Sequence, residues 1–180
     1  MKIYVALFRG INVGGKNILP MKELASVLGD LGAQNIKTYI QSGNAVFVSP
    51  EKDTLRLANS ISREIKKRRG FEPHVLVLGL EDIERATRKN PFPEAATDPK
   101  ALHAGFLASA PEKPNLKALE SLKSASERFQ LIDTVFYLYA PDGIGRSKLA
   151  ANVEKLLGVP MTDRNWRTVC KIREMAQELS

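Results

Sequence analysis

Cysteine is almost absent from this 180-residue chain. Cys170 stands alone, which excludes an internal disulfide and any thiolate metal cluster. Histidine is nearly as scarce. His74 and His103 both fall at predicted strand starts with no Ser or Cys partner at a recognisable spacing, and no zinc, triad or paired-carboxylate signature accompanies them. The sequence therefore names no catalytic residue, no metal site and no cofactor. Aromatic residues make up only 7% of the chain, leaving few platforms on which nucleic-acid bases could stack. No apolar run is long: residues 3–8, Ile-Tyr-Val-Ala-Leu-Phe, are too few for a signal core or a membrane span. A cytoplasmic location and no membrane partner are the expectations. What is plentiful is positive charge. Lys and Arg number 27 against 20 Asp and Glu, a net charge of +7, which favours an acidic partner such as a nucleotide, a phosphorylated metabolite or nucleic acid.

The periodicity of the first half alternates between strand and helix. Residues 3–8 read as a strand, followed by a glycine-rich loop and a helix from Pro20 with Met21, Leu24, Ala25, Leu28 and Leu31 on one face. Two β-rich runs, residues 36–41 and 45–48, flank Ser42-Gly43-Asn44, a hairpin signal. A helix with Leu55, Ala58, Ile61 and Ile65 inward ends at Gly70, and residues 75–78 supply a fourth strand. The order β-α-β-β-α-β is the split ferredoxin-like plan. Residues 1–89 therefore form a first half that includes one further helix. Residues 90–102, opening with the proline-rich stretch Asn-Pro-Phe-Pro, read as a linker. Residues 103–180 repeat the plan imperfectly: strands at 104–108, 129–132 and 135–139, helices through Leu119, Val153 and Ile172, and no clear last strand before the final helix. The expected class is α+β, two ferredoxin-like halves with antiparallel sheets.

The stretch Gly-Ile-Asn-Val-Gly-Gly-Lys-Asn, residues 10–17, comes within one residue of the phosphate-cradling pattern G-x-x-x-x-G-K-[ST]. Asn17 stands where a hydroxyl should reach magnesium, and the helix begins several residues after Lys16, so its N-terminus does not open inside the motif. Both features argue against a phosphotransferase or phosphohydrolase of that type. A wide turn explains Gly10, Gly14 and Gly15 equally well. Yet Arg9, Asn12, Lys16 and Asn17 crowd the glycines in a loop longer than a connection needs, which suits an anion. In the split plan the hairpin lies at the same end of the sheet as this loop, bringing Ser42, Gly43 and Asn44 beside it.

The same element order occurs in RNA-recognition domains, for which Tyr4 occupies the stacking position on the first strand. The third strand fails that test, offering Asn44, Val46 and Ser49 where rings are wanted, with Phe47 on the opposite face. The basic run Lys66-Lys67-Arg68-Arg69 falls in the last turn of a helix, where cations offset the dipole. Near the end of the chain, Arg146 and Lys148 bracket Ser147, a helix N-cap. Arg164, Asn165 and Arg167 crowd Trp166, the only tryptophan, at another helix start that could receive an anion; Trp166 itself suits the core with cations at its edge. Cys170 reads as a small apolar residue on the inner side of that last helix.

The segments LFRGINVGGKN, TYIQSGNAVF, GRSKL and TDRNWRTV, in this order, resemble the bacterial family known as domain of unknown function 1697 across essentially the whole chain. Its motifs fall on Arg9, Gly10, Asn12, Gly14, Gly15, Lys16 and Asn17, on Ser42, Gly43 and Asn44, on Arg146, Ser147 and Lys148, and on Thr162, Arg164, Asn165, Trp166 and Thr168. The resemblance implies two ferredoxin-like halves and brings no activity, cofactor or substrate with it. It adds weight to these polar loops acting together. The expectation is thus a protein that binds an anionic, phosphate-bearing small molecule through the glycine loop, the Ser-Gly-Asn hairpin and the basic C-terminal segments, with an RNA- or DNA-binding module, or a phosphotransferase or phosphohydrolase using the near-P-loop, as the alternatives.

Overall fold

Strand β1 (Lys2–Arg9) is the apolar spine of the first half, and the computed structural model, which describes all 180 residues, buries Tyr4, Val5, Ala6, Leu7 and Phe8 alike. A strand buried on both faces carries an unbroken apolar run rather than an alternating one, as residues 3–8 do. Around it the chain adds α1 (Met21–Asp30), β2 (Gln34–Tyr39), β3 (Asn44–Ser49), α2 (Thr54–Arg69) and β4 (His74–Gly79), then α3 (Leu80–Arg88). The sheet order is β2-β3-β1-β4 with every neighbouring pair antiparallel, the ferredoxin-like topology expected from the element order. Tyr4, Ala6 and Phe8 share one face with Ala45 and Phe47, where they pack with Leu24 and Leu28 of α1 and Ile61 and Ile65 of α2.

Local signals place these helices. Asp53 accepts hydrogen bonds from the Leu55 and Arg56 amides at the start of α2, and Gly70, with φ of 77°, donates to the Lys66 carbonyl at its end. Helix α1 starts after Pro20, which has no N–H to leave unpaired, and finishes at Gly32, where φ is 84°.

The second half repeats the topology with β5 (Leu102–Leu107), α4 (Leu116–Leu122), β6 (Arg128–Ile132), β7 (Val135–Tyr139), α5 (Lys148–Leu157) and β8 (Met161–Asn165), in sheet order β6-β7-β5-β8. A final helix, α6 (Trp166–Gln177), follows. Strand β8 corrects the expectation of a missing last strand. Its sequence, Met-Thr-Asp-Arg-Asn, lacks apolar alternation because β8 is an edge strand bonded only to β5, and the residues it buries, Thr162 and Arg164, are polar.

The chain divides into one unit of Met1–Arg85 with Lys171–Ser180 and a second of Ala86–Cys170. The boundaries expected at 89 and 103 therefore shift. Residues 90–102 are not a free linker, since Phe92, Ala95, Ala101 and Leu102 are buried and Pro93–Ala96 form a 3-10 turn. Residues 171–180 return to the first unit, where Glu178 pairs with Lys37 at 2.6 Å and Gln177 donates to Glu84 at 2.8 Å.

Candidate functional site

The glycine loop is a miniature hairpin. Val13 and Lys16 form an isolated antiparallel bridge, the Lys16 amide donates to the Val13 carbonyl at 3.0 Å, and the Asn12 amide donates to the Asn17 carbonyl at 3.1 Å. Gly14 and Gly15, with φ of 57° and 72°, occupy the two central positions, the pattern of a type I′ turn. This geometry differs from a phosphate-cradling loop, in which the glycines lead directly into a helix; here Asn17, Ile18, Leu19 and Pro20 intervene before α1.

Side-chain amides fix the hairpin to its surroundings. Asn12 Nδ2 donates to the Leu19 carbonyl at 2.9 Å and the Gln41 carbonyl at 2.8 Å, while its Oδ1 accepts from the Leu19 amide at 2.8 Å. Asn17 Nδ2 donates to the Gly10 carbonyl at 2.8 Å. Both asparagines have positive φ, 53° and 52°, a conformation Asn tolerates. The loop and the Ser42-Gly43-Asn44 turn meet as the topology requires, for β1 and β2 run parallel with β3 between them. The Phe8 amide donates to the Gly43 carbonyl at 2.9 Å. A Cβ at Gly43 would lie 2.5 Å from Ile11 Cδ1 and 2.7 Å from Phe8 Cβ, so glycine is required by space as well as by its φ of 87°. Asn44 is fully buried and donates through Nδ2 to the Tyr39 carbonyl at 2.9 Å and, more weakly, towards Ser42 Oγ at 3.4 Å. Asn12 thus ties the glycine hairpin to the Ser-Gly-Asn turn through Gln41, while Asn17 and Asn44 each brace their own loop. The exposed polar and glycine positions at this end include Arg9, Gly14, Gly15, Lys16 and Ser42.

In the second unit the two basic segments share one end of the sheet. Tyr139, the last residue of β7, pairs with Leu102, and Asn165, the last of β8, pairs with His103, so both chain ends emerge beside the start of β5. After β7, Ser147 caps α5 by accepting from the Ala150 amide at 3.0 Å. Arg146, Ser147 and Lys148 line a cavity of about 510 Å³ together with Lys123, Glu127 and Asp142. Most of the other charges are already engaged: Lys123 pairs with Glu120, Glu127 accepts from the Ser124 amide at 2.8 Å, and Asp142 accepts from Ser126 Oγ at 2.5 Å. Arg146 and Lys148 are exposed and make no ion pair. The dipole of α5 adds positive potential at the same mouth.

Arg164, Asn165 and Trp166 do not line this cavity. Arg164 is buried, and burial lowers its guanidinium pKa to about 10, an effect partly opposed by the neighbouring Asp163. Asn165 donates to the Lys100 carbonyl at 3.0 Å and accepts from the Arg167 amide at 3.1 Å, capping α6. Trp166 is buried with its ring centroid 6.3 Å from that of Tyr137. Elsewhere in this unit Arg128 lies 5.2 Å from the Phe92 ring and 4.8 Å from the Tyr139 ring. Cys170 is half-buried rather than fully inward. One pairing escaped sequence reasoning: His103 Nδ1 lies 2.8 Å from Asp163 Oδ2, across two adjacent strands and 60 residues apart in the chain. No spacing rule could have linked them.

The base-stacking platform is absent from the first sheet. Tyr4 is buried on the helix-covered face and donates to the Glu51 carbonyl at 2.7 Å. Phe47, expected on the opposite face, sits directly across from Tyr4 and is buried with it. The basic run 66–69 is neutralised in part, since Lys66 pairs with Glu72, Arg68 with Asp30 and Glu64, and Arg69 with Glu23. No group of three or more His, Cys, Asp and Glu side chains is arranged to hold a metal ion. No helix is long and apolar enough to cross a membrane.

These features define an α+β protein of two ferredoxin-like units whose polar motifs gather at loop ends. The chain belongs to the family described as "Protein of unknown function (DUF1697)", whose pattern it matches over residues 1–137. It is similar to the solved structure of a conserved bacterial protein, SP0830 from Streptococcus pneumoniae, with a TM-score of 0.70 and 27% identity over 97% of this chain and 98% of that one. No curated protein matches it.

Proposed function

We propose that this protein binds a small phosphate-bearing anion, with its seat in the cavity at the N-terminus of α5. The observation that carries this reading is the pair Arg146 and Lys148, two cations without ion-pair partners that flank the Ser147 cap on the lining of a 510 Å³ cavity. That volume falls within the roughly 300–1,000 Å³ of ordinary small-ligand sites. Arg146 offers a planar fork for two phosphate oxygens, Lys148 a point charge, and the first-turn amides of α5 further donors. The engaged carboxylates of Glu127 and Asp142 give the lining acceptors for hydroxyl or amino groups, as a nucleotide or sugar phosphate carries.

Isothermal titration of inorganic phosphate, pyrophosphate and ATP into the full chain tests the proposal. Charge-assisted hydrogen bonds contribute roughly 1.5–3 kcal/mol each, so Arg146→Ala should weaken binding about 10- to 150-fold. Lys16→Ala should leave it unchanged, because Lys16 does not line the cavity. Unchanged affinity in Arg146→Ala and Lys148→Ala, or no binding of any of the three anions, would remove the cavity as a ligand site.

A further inference from the structure

Three of the six large apolar side chains that the protein exposes lie at one place, the glycine-hairpin end of the first unit: Val13 at 66%, Ile18 at 51% and Ile40 at 48% exposure. Val13 and Ile18 flank the Gly14-Gly15 turn, and Ile40 sits in the turn that the Asn12 side chain ties to the hairpin through Gln41. Ile40 is the telling residue. Its φ of 49° is left-handed, a conformation that Gly or Asn adopts easily and a β-branched side chain does not. Water and backbone both favour a different residue there. An apolar branched side chain held exposed and strained contributes to neither the core nor the turn, which directs attention to a contact outside the fold.

The charge around the patch says what kind of contact. Residues 1–22 and 31–50 contain no Asp or Glu, whereas Arg9, Lys16 and Lys22 are exposed near the two loops. The only two carboxylates among the first 50 residues are taken, Glu23 by Arg69 and Asp30 by Arg68, each at 2.6 Å. Lys16 makes no ion pair. The three apolar side chains are aliphatic, and base stacking on single-stranded nucleic acid requires aromatic rings. The loops are cross-tied by the Asn12–Gln41 and Phe8–Gly43 hydrogen bonds, and the Asn17–Gly10 bond braces the glycine loop internally, so little conformational freedom is lost when a partner docks.

We infer that the Val13–Ile18–Ile40 patch with its basic rim is a docking surface for an acidic polypeptide segment bearing aliphatic or aromatic anchors. None of these residues lines the α5 cavity, and the inference does not rest on the function proposed for that cavity. The test is fluorescence anisotropy of a labelled 15-residue peptide alternating Glu or Asp with Leu or Phe, against a peptide of the same apolar residues with Lys and Arg in place of the acids. Phosphatidylserine-containing vesicles and a thymidine 20-mer are run in parallel. The acidic peptide should bind the full chain, and the basic one should not. Ile40→Asn should weaken binding at least tenfold while leaving the melting temperature equal or higher, since it relieves the backbone. Lys16→Glu should weaken it similarly, and Arg146→Ala should have no effect. Failure of the acidic peptide to bind, equal binding of the basic peptide, undiminished binding by Ile40→Asn, or binding of vesicles or oligonucleotide in place of the peptide would each overturn the inference.

Discussion

Gly43→Ala is the sharpest test of how the two loops of the first unit are joined. The new Cβ would stand 2.5 Å from Ile11 Cδ1, 2.7 Å from Phe8 Cβ and 3.1 Å from Ile11 Cγ1, and both neighbours are fully buried. Forcing an extra methyl into a packed site costs about 1–3 kcal/mol, and holding an L-residue in the left-handed region about 1–2 kcal/mol more. The turn cannot simply back away, because the Gly43 carbonyl accepts from the Phe8 amide on β1 at 2.9 Å. The expected loss is therefore about 2–5 kcal/mol, or about 4–20 °C in melting temperature for a chain of this size. Gly14→Ala supplies the control. Its φ is also positive, 57°, but no atom lies within 4 Å of the added Cβ, so only the backbone penalty of about 1–2 kcal/mol applies. Urea titration followed by circular dichroism measures both. If Gly43→Ala proves no less stable than Gly14→Ala, the close packing of the turn against Phe8 and Ile11 is not what fixes it.

Asn12→Ala should destabilise the first unit by about 2–4 kcal/mol, because three side-chain hydrogen bonds are lost, two with Leu19 and one to the Gln41 carbonyl of the turn, and partners are left short of bonds. Asn12→Gly, which suits the φ of 53°, should recover only the backbone part, and full recovery in urea titration would contradict a clamping role. The carboxyl of Glu178 is held below its ordinary value of 4.5 chiefly by the hydrogen bond from Lys37. A carboxylate with a lowered folded-state pKa contributes stability above its unfolded pKa and loses it as pH falls through the folded value. Wild type should thus exceed Glu178→Gln in stability at pH 7, and the gap should close below pH 4.5. A gap independent of pH would show that the Lys37 pairing is not its source.

Much of the fold was legible because the signals were local. The unbroken apolar run of β1, the Gly70 stop, the Ser147 cap and the Ser-Gly-Asn turn each specify their own backbone, and together they fix the β-α-β-β-α-β order. Strand β8 was not legible, since an edge strand burying Thr162 and Arg164 shows none of the apolar alternation by which strands are read. Residues 90–102 were misleading for a related reason: prolines suggest a linker, but Phe92 and Ala95 are anchored by packing that no local pattern encodes. At the candidate site, positions were easier to foresee than roles. Asn12, Asn17 and Asn44 stand among the ligand-binding candidates in the sequence, and in the fold their side chains are engaged with backbone carbonyls. The patch of Val13, Ile18 and Ile40 was invisible because exposure and a positive φ are properties of the folded loop.

The return of residues 171–180 to the first unit gives the order of synthesis a physical meaning. Lys37 and Glu84 are made early, but their partners Glu178 and Gln177 come last, after the whole of the second unit. At about 5–20 residues per second, the 85 intervening residues take roughly 4–17 s to translate. During that interval the nascent first sheet lacks the segment containing Met175 and Ala176, both buried in the finished protein. The ribosome therefore presents an N-terminal unit that can acquire its topology early and its last packing only once residues 171–180 have cleared the exit tunnel.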